Sequence, residues 1–154
     1  MTVSLRPATD AELAAYLAFA RDHYISERIR AGDEPAAATR NADQSFGQAF
    51  PGGRAAAPHL VFRVERDGEG VGTLWIGPRG LNEPRHWWVW DIVVDEAFRG
   101  QGIGRATMLL AESEARGRGA VELGLNVFGH NQVAEGLYRS LGYEVTATQM
   151  RKLL

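Results

Sequence analysis

Between Val89 and Glu112 the chain reads VWDIVVDEAFRGQGIGRATMLLAE, and its character changes twice. An apolar run, Val89 to Val94, is interrupted by Asp91. A polar corner follows, with glycines at positions 100, 102 and 104, and these open directly into a helix-like run. Strand, bare backbone and helix start, in that order, form a physical recipe for holding phosphate. The first N–H groups of a helix lack intrahelical partners, and the dipole end there is positive. Glycines let the backbone approach the oxygens closely and adopt positive φ where needed. Arg99 and Arg105 add positive charge at the two ends of the corner. The same three glycines are also compatible with a plain tight strand-to-helix turn that binds nothing.

Two familiar phosphate motifs do not fit. A Walker A loop requires Lys and then Ser or Thr after its last glycine, whereas Gly104 is followed by Arg105 and Ala106. A dinucleotide fingerprint requires G-x-G-x-x-G or G-x-G-x-x-A. Counted from Gly100 its last place is Arg105, and counted from Gly102 it is Thr107.

The remainder of the chain frames this corner. Residues 2–6, TVSLR, suggest a short strand. Thr9 and Glu12 stand at capping-box spacing before Leu13, Tyr16, Leu17, Ala20 and Tyr24, which predicts a helix from about Asp10 to Arg30. Gly32 ends it, and Pro35 suits the first turn of a second helix running to about Ala49. HLVFRVER and GVGTLWIG, joined through Asp67-Gly68, predict a hairpin. RHWWVWDIVVD adds a third strand, apolar at nearly every position and therefore expected to be buried on both faces. Ile103, Ala106, Thr107, Leu110 and Ala111 mark one helical face after the glycines. AVELGLNVF reads as a strand, NQVAEGLYRSLG as a short helix closed by Gly142, and YEVTATQMRKLL as one or two final strands. The expected class is α/β, with a mixed sheet in a single domain over residues 1–154.

Composition narrows the chemistry. The chain has no cysteine, which removes disulfides, thiolate metal sites and a cysteine nucleophile together. A net charge of −2 over 154 residues gives no reason to expect nucleic acid or an anionic membrane as partner. No metal-ligand spacing links His23, His59, His86 and His130, each expected on the surface or in a loop, and no metal is expected. The N-terminus lacks the basic and apolar runs of a signal peptide, so the expected location is cytoplasmic.

A second motif lies downstream. Arg99-x-x-Gly102-x-Gly104 is followed, across a helix and a strand, by Asn131, Ala134, Tyr138, Gly142 and Tyr143 at the spacing N-x-x-A-x-x-x-Y-x-x-x-G-[FY]. The ordered pair resembles the GNAT superfamily of acyl-CoA N-acyltransferases, closely from Trp87 to about Lys152 and only in element order before that. The resemblance implies a mostly antiparallel central sheet, flanked by helices and splayed between its fourth and fifth strands. It implies acetyl-CoA as co-substrate. The strand at Ile92, Val93 and Val94 would carry a bulge and pair with the pantetheine arm. The amides of Arg99, Gly100, Gln101, Gly102, Ile103, Gly104 and Arg105 would cradle the pyrophosphate. Asn131 would lie near the pantetheine, with Ala134 leaving room for it, and Tyr138 would act as general acid toward the departing thiolate. The expected reaction is direct attack by a primary amine in a ternary complex, with a small molecule or peptide as acceptor.

Each assignment has a simpler counterpart. Tyr138 could be core, Asn131 an N-cap, and Arg99 a solvated turn residue. Asp91 lies in an apolar strand, where an acid is expensive to bury alone. It is read either as the general base or as a structural acid paired with a neighbouring strand or arginine, the structural reading being preferred. His86 is a second candidate base. Trp88 and Trp90 should share a face, with Trp87 opposite. Tyr24, Glu27, Arg28 and Asp33 could form the far wall of an acceptor site. The alternative to an enzyme is a non-catalytic acyl-CoA sensor or interaction domain on the same fold. The acceptor and the oligomeric state, a homodimer included, stay open.

Overall fold

The elements begin and end where local chemistry places them, as a computed structural model covering residues 1–154 shows. Helix α1 spans Asp10–Arg30 behind a complete capping box. The Glu12 amide donates to Thr9 Oγ1 at 3.2 Å, and the Thr9 amide donates to Glu12 Oε2 at 2.9 Å. Helix α2, Pro35–Ala49, starts on its proline with Glu34 as N-cap. The Asp67-Gly68 turn has φ of 52° and 85° at its two residues, the left-handed pair that a two-residue hairpin demands. Gly142, at φ 92°, follows the last turn of the short helix α4, Gln132–Ser140.

Five strands form one sheet in the order β1 (Val3–Pro7), β2 (Leu60–Arg66), β3 (Glu69–Pro78), β4 (His86–Val94) and β5 (Glu122–Leu125). All neighbours are antiparallel except β4 and β5, which are parallel. The connection from β4 to β5 runs through helix α3, Ile103–Gly117.

Two cores lie on opposite faces of the sheet. On one, α3 packs Ile103, Met108, Ala111 and Ala115 against Phe62, Val64, Leu74, Ile76, Trp87 and Val89. On the other, α1 and the end of α2 bring Leu13, Tyr16, Ala20, Ala49 and Phe50 to Val61 and Trp75. Alternation along β2 and β3 divides their side chains between the two.

Three expectations are corrected. The strand β4 is not buried on both faces, because Trp90 is 36% exposed and Trp88 half-buried beside a cleft. The strand β5 is shorter than its apolar run, since the chain leaves the sheet after Leu125. Residues 143–154 form no strand, although YEVTATQM alternates as a strand would. An extended segment becomes a strand only on a ladder partner, and this one leaves Val145, Met150, Leu153 and Leu154 exposed. Its far end returns to the α1–α2 turn, where Arg151 lies against Gly32.

Candidate active site

The site begins with an interruption in the β3–β4 ladder. Trp75 pairs with Asp91 and Ile76 with Val89, so Trp90 is an extra residue with no partner. Such a bulge bends a strand and frees backbone groups. It also places two consecutive side chains on one face. Trp90 stacks on Trp75 with ring centroids 5.5 Å apart, and Asp91 accepts a 2.7 Å hydrogen bond from the Tyr16 hydroxyl of α1. The bulge expected around Ile92 to Val94 therefore sits earlier, at Trp90, two residues before Ile92.

On its other side β4 pairs with β5 only from His86–Glu122 to Val89–Leu125. Beyond that point β4 continues to Val94 while the other chain turns away toward α4. The two diverge around a cleft of about 340 Å³. Its lining includes Ile92, Val93, Val94, Arg99, Asn131, Ala134 and Tyr138, together with Asp91 and side chains from α1 and α2. A larger hollow, about 580 Å³, lies along the free edge of β5 against Glu112 and Tyr143 and contains none of the corner residues.

At the corner, Gly100 and Gly102 adopt φ of 71° and 80°. Gly102 is the N-cap of α3, and no side chain caps that helix. None of the six amides from Gly100 to Arg105 donates to another group of the protein. Six free donors at a positive helix end match a diphosphate, so the residues present fit the pyrophosphate of a coenzyme. Gly104 is helical and not in the left-handed region, and a Cβ there would stand 3.4 Å from Leu137 Cδ2, an ordinary van der Waals contact. The arginines are committed locally. Arg99 Nε donates to the Val94 carbonyl at 3.0 Å, and Arg105 donates to Ser140 Oγ. Gln101 accepts from Arg66 and donates to the Ala97 carbonyl. The Val94 carbonyl is thus already engaged, and the open edge of β4 lies at Ile92 and Val93.

Asn131 caps α4, its Oδ1 accepting from the Ala134 amide at 3.2 Å, while facing the cleft. Tyr138 is half-buried, and its hydroxyl has no partner within the protein. Burial, and then the charge of Asp91, push its pKa upward, so the phenol holds its proton at neutral pH. Asp91 is also pushed upward, chiefly by burial, against the Tyr16 hydroxyl, His23 and the Ile92 amide, which draw it down. Its partner is thus a tyrosine of α1, not the strand or arginine expected.

Sequence reasoning missed Tyr16 and His23. They stand seven residues apart on α1 and so share a face, but nothing in the sequence says which face meets β4. The histidines were expected to be surface residues, and three do more. His23 lines the cleft, His59 Nδ1 accepts from Trp75 Nε1, and His130 pairs with Glu27 across the cleft mouth at 2.5 Å. His86 is exposed beside Glu122, outside the cleft. Tyr24, Glu27 and Arg28 line the far wall as expected, and Asp33 holds Arg28.

A splayed sheet with a bulged strand, an uncapped glycine corner and a tyrosine facing the gap defines the acetyltransferase class of α/β fold. The chain belongs to the acetyltransferase (GNAT) family, whose model matches residues 17–143. It is 30% identical to YdgE of Bacillus subtilis, described as an uncharacterized N-acetyltransferase, over all of this chain and 99% of that one. YycN of the same organism is also 30% identical, and its crystal structure matches with a TM-score of 0.88 over 99% of each chain. AAC(6′)-Iy, solved with the bisubstrate analog CoA-S-monomethyl-acetylneamine, shares the fold at 15% identity and a TM-score of 0.61, over 100% of this chain and 99% of that one.

Proposed function

We propose that the chain is a cytoplasmic, single-domain N-acetyltransferase that moves an acetyl group from acetyl-CoA to a primary amine by direct attack in a ternary complex. The observation that carries this reading is the run of six undonated amides from Gly100 to Arg105, which follows directly on Arg99, the corner residue that lines the same cleft as Asp91 and Tyr138. Acetyl-CoA supplies the activated thioester. The corner amides hold its pyrophosphate, and the open edge of β4 at Ile92 and Val93 offers hydrogen bonds to the amides of the pantetheine arm, as an added strand would. Asn131 and Ala134 border the same channel.

Asp91 acts as the base. The attacking nitrogen forms a bond to the thioester carbonyl carbon, and the proton it sheds passes to the Asp91 carboxylate. Burial makes that carboxylate a stronger base than an exposed one. Tyr16 holds one of its oxygens, fixing the rotamer. A backbone N–H of the bulged strand faces the oxygen on which negative charge develops. As the carbon–sulfur bond breaks, Tyr138 directs its O–H at the leaving sulfur. General acid–base help of this kind contributes on the order of 10²–10⁴-fold.

The test is turnover of acetyl-CoA against an amine and peptide library, with mass detection of the product. An acceptor heavier by one acetyl group and stoichiometric free CoA are expected. Slow hydrolysis of acetyl-CoA with no acetylated amine across the library would point instead to a sensor.

A further inference from the structure

We infer that the acceptor is a monoamine bearing a flat apolar or aromatic group, seated in an aromatic slot at the α1–α2 end of the cleft. This rests on the acetyltransferase reading above and adds the class of amine. Past Asp91 the cleft is walled by Tyr24, Phe46, Trp75, Trp88, Trp90 and Phe128. Trp90 is the informative member. It is the bulged residue, so its placement contributes nothing to strand pairing. One face of its indole is stacked on Trp75 at an interplanar angle of 20°, and Trp75 is braced in turn by Phe50 at 4.7 Å and Phe46 at 5.6 Å. The residue is nevertheless 36% exposed while lining the cleft. An indole held rigidly from behind and open in front is a platform for another ring.

The charges of the slot sharpen the choice. Glu27 is paired with His130 at 2.5 Å, Arg28 with Asp33 at 2.7 Å, and Asp91 with Tyr16 at 2.7 Å. A polyamine or aminoglycoside brings several ammonium groups, each needing a carboxylate once desolvated. Of the two carboxylates lining the cleft, Asp91 serves the reacting nitrogen, which leaves Glu27, hydrogen-bonded to His130, as the one carboxylate for every further ammonium group. The slot therefore discriminates against polycations by leaving their extra charges unmatched. A single ammonium is served differently. The open indole face attracts it by a cation–π contact; the amine loses its ammonium proton to solvent before it attacks, which leaves Asp91 free for the proton shed on attack.

The experiment has two arms. In the first, kcat/KM is measured at saturating acetyl-CoA for phenethylamine, hexylamine, spermidine and kanamycin. In the second, intrinsic tryptophan fluorescence is titrated with phenethylamine alone, which reads binding without turnover. Phenethylamine should exceed hexylamine by about tenfold, the scale of one good ring contact, with spermidine and kanamycin lowest. Its quenching should saturate. Trp90→Leu should erase the preference for phenethylamine over hexylamine, and Phe46→Leu, which removes another ring of the wall and the brace on Trp75, should weaken it. A preference for spermidine or kanamycin, a flat ranking, or a ranking that survives Trp90→Leu overturns the slot while leaving the acetyltransferase reading intact. No transfer to any amine, with phenethylamine still quenching saturably, overturns that reading and sustains the slot; no transfer and no saturable quenching overturns both.

Discussion

Asp91 carries a cost that its neighbours do not remove. Burial raises its folded pKa above 3.8, so folding favours the protonated carboxyl. A raised group stabilises the fold below its unfolded pKa, and that contribution is lost as pH rises through the folded value. At neutral pH the ionised side chain is therefore a liability. Asp91→Asn keeps an acceptor for Tyr16 and removes the charge. Its melting temperature at pH 7 should exceed that of the parent, the difference should shrink as pH falls toward 3.8, and kcat should drop by about 10²-fold or more. The acid limb of the parent's pH–rate profile should be absent in the variant. A melting temperature below the parent's at pH 7 would show that the charge itself holds the site together. Tyr138 is the opposite case, a hydroxyl with no partner in the protein. Tyr138→Phe should lower kcat by about 10²-fold with unchanged acetyl-CoA affinity, and an unaltered kcat in rapid-quench assays would remove it from the chemistry. Both residues stood out in the sequence, Asp91 as an acid in an apolar run and Tyr138 through its motif. Tyr16 did not, because a contact from α1 to β4 is a fact of packing that no local spacing encodes.

At the scale of elements, the glycine corner was legible as a strand-to-helix turn, and only the second motif, from Asn131 to Tyr143, pointed from it to a coenzyme. What the sequence could not separate is the labour among its glycines. Gly100 and Gly102 supply left-handed backbone, whereas Gly104 already lies in the first turn of α3. Gly102→Asp puts a carboxylate at the N-cap of α3 and a side chain at φ 80°. It should abolish acetyl-CoA binding by calorimetry, and undiminished affinity would show that the pyrophosphate lies elsewhere. The capping box of α1 is a separate matter of stability. Thr9→Ala removes the side chain that accepts from the Glu12 amide and should cost about 1 kcal/mol in urea unfolding, with coenzyme affinity unchanged.

Over the whole molecule, the four α-helices and the antiparallel meander followed from periodicity and turn chemistry, as α1 and the Asp67-Gly68 hairpin illustrate. The misreadings fall where structure depends on a partner. Residues 143–154 alternate like a strand yet pair with nothing, and β4 reads as doubly buried yet opens one face to a cleft. The parallel pairing of β4 with β5, and its end at Val89, are likewise long-range facts. Hydrophobic pattern tells a strand which side is wet only when something covers the other.

The extra residue in β4 has one more implication. Val89 and Ile92 keep their ladder partners, Ile76 and Leu74, on either side of it. Trp90 is thus an insertion that leaves the parity of the strand untouched. Deleting its codon should restore an uninterrupted ladder and leave both cores in register. The shortened protein should unfold as cooperatively as the parent in a calorimetric scan while losing acetyl transfer to any amine. A chain that aggregates or melts without cooperativity would show instead that the bulge is needed to fold. If the scan stays cooperative, a single triplet separates the scaffold from its trade, and chains of this architecture could lose or regain activity in one genetic step.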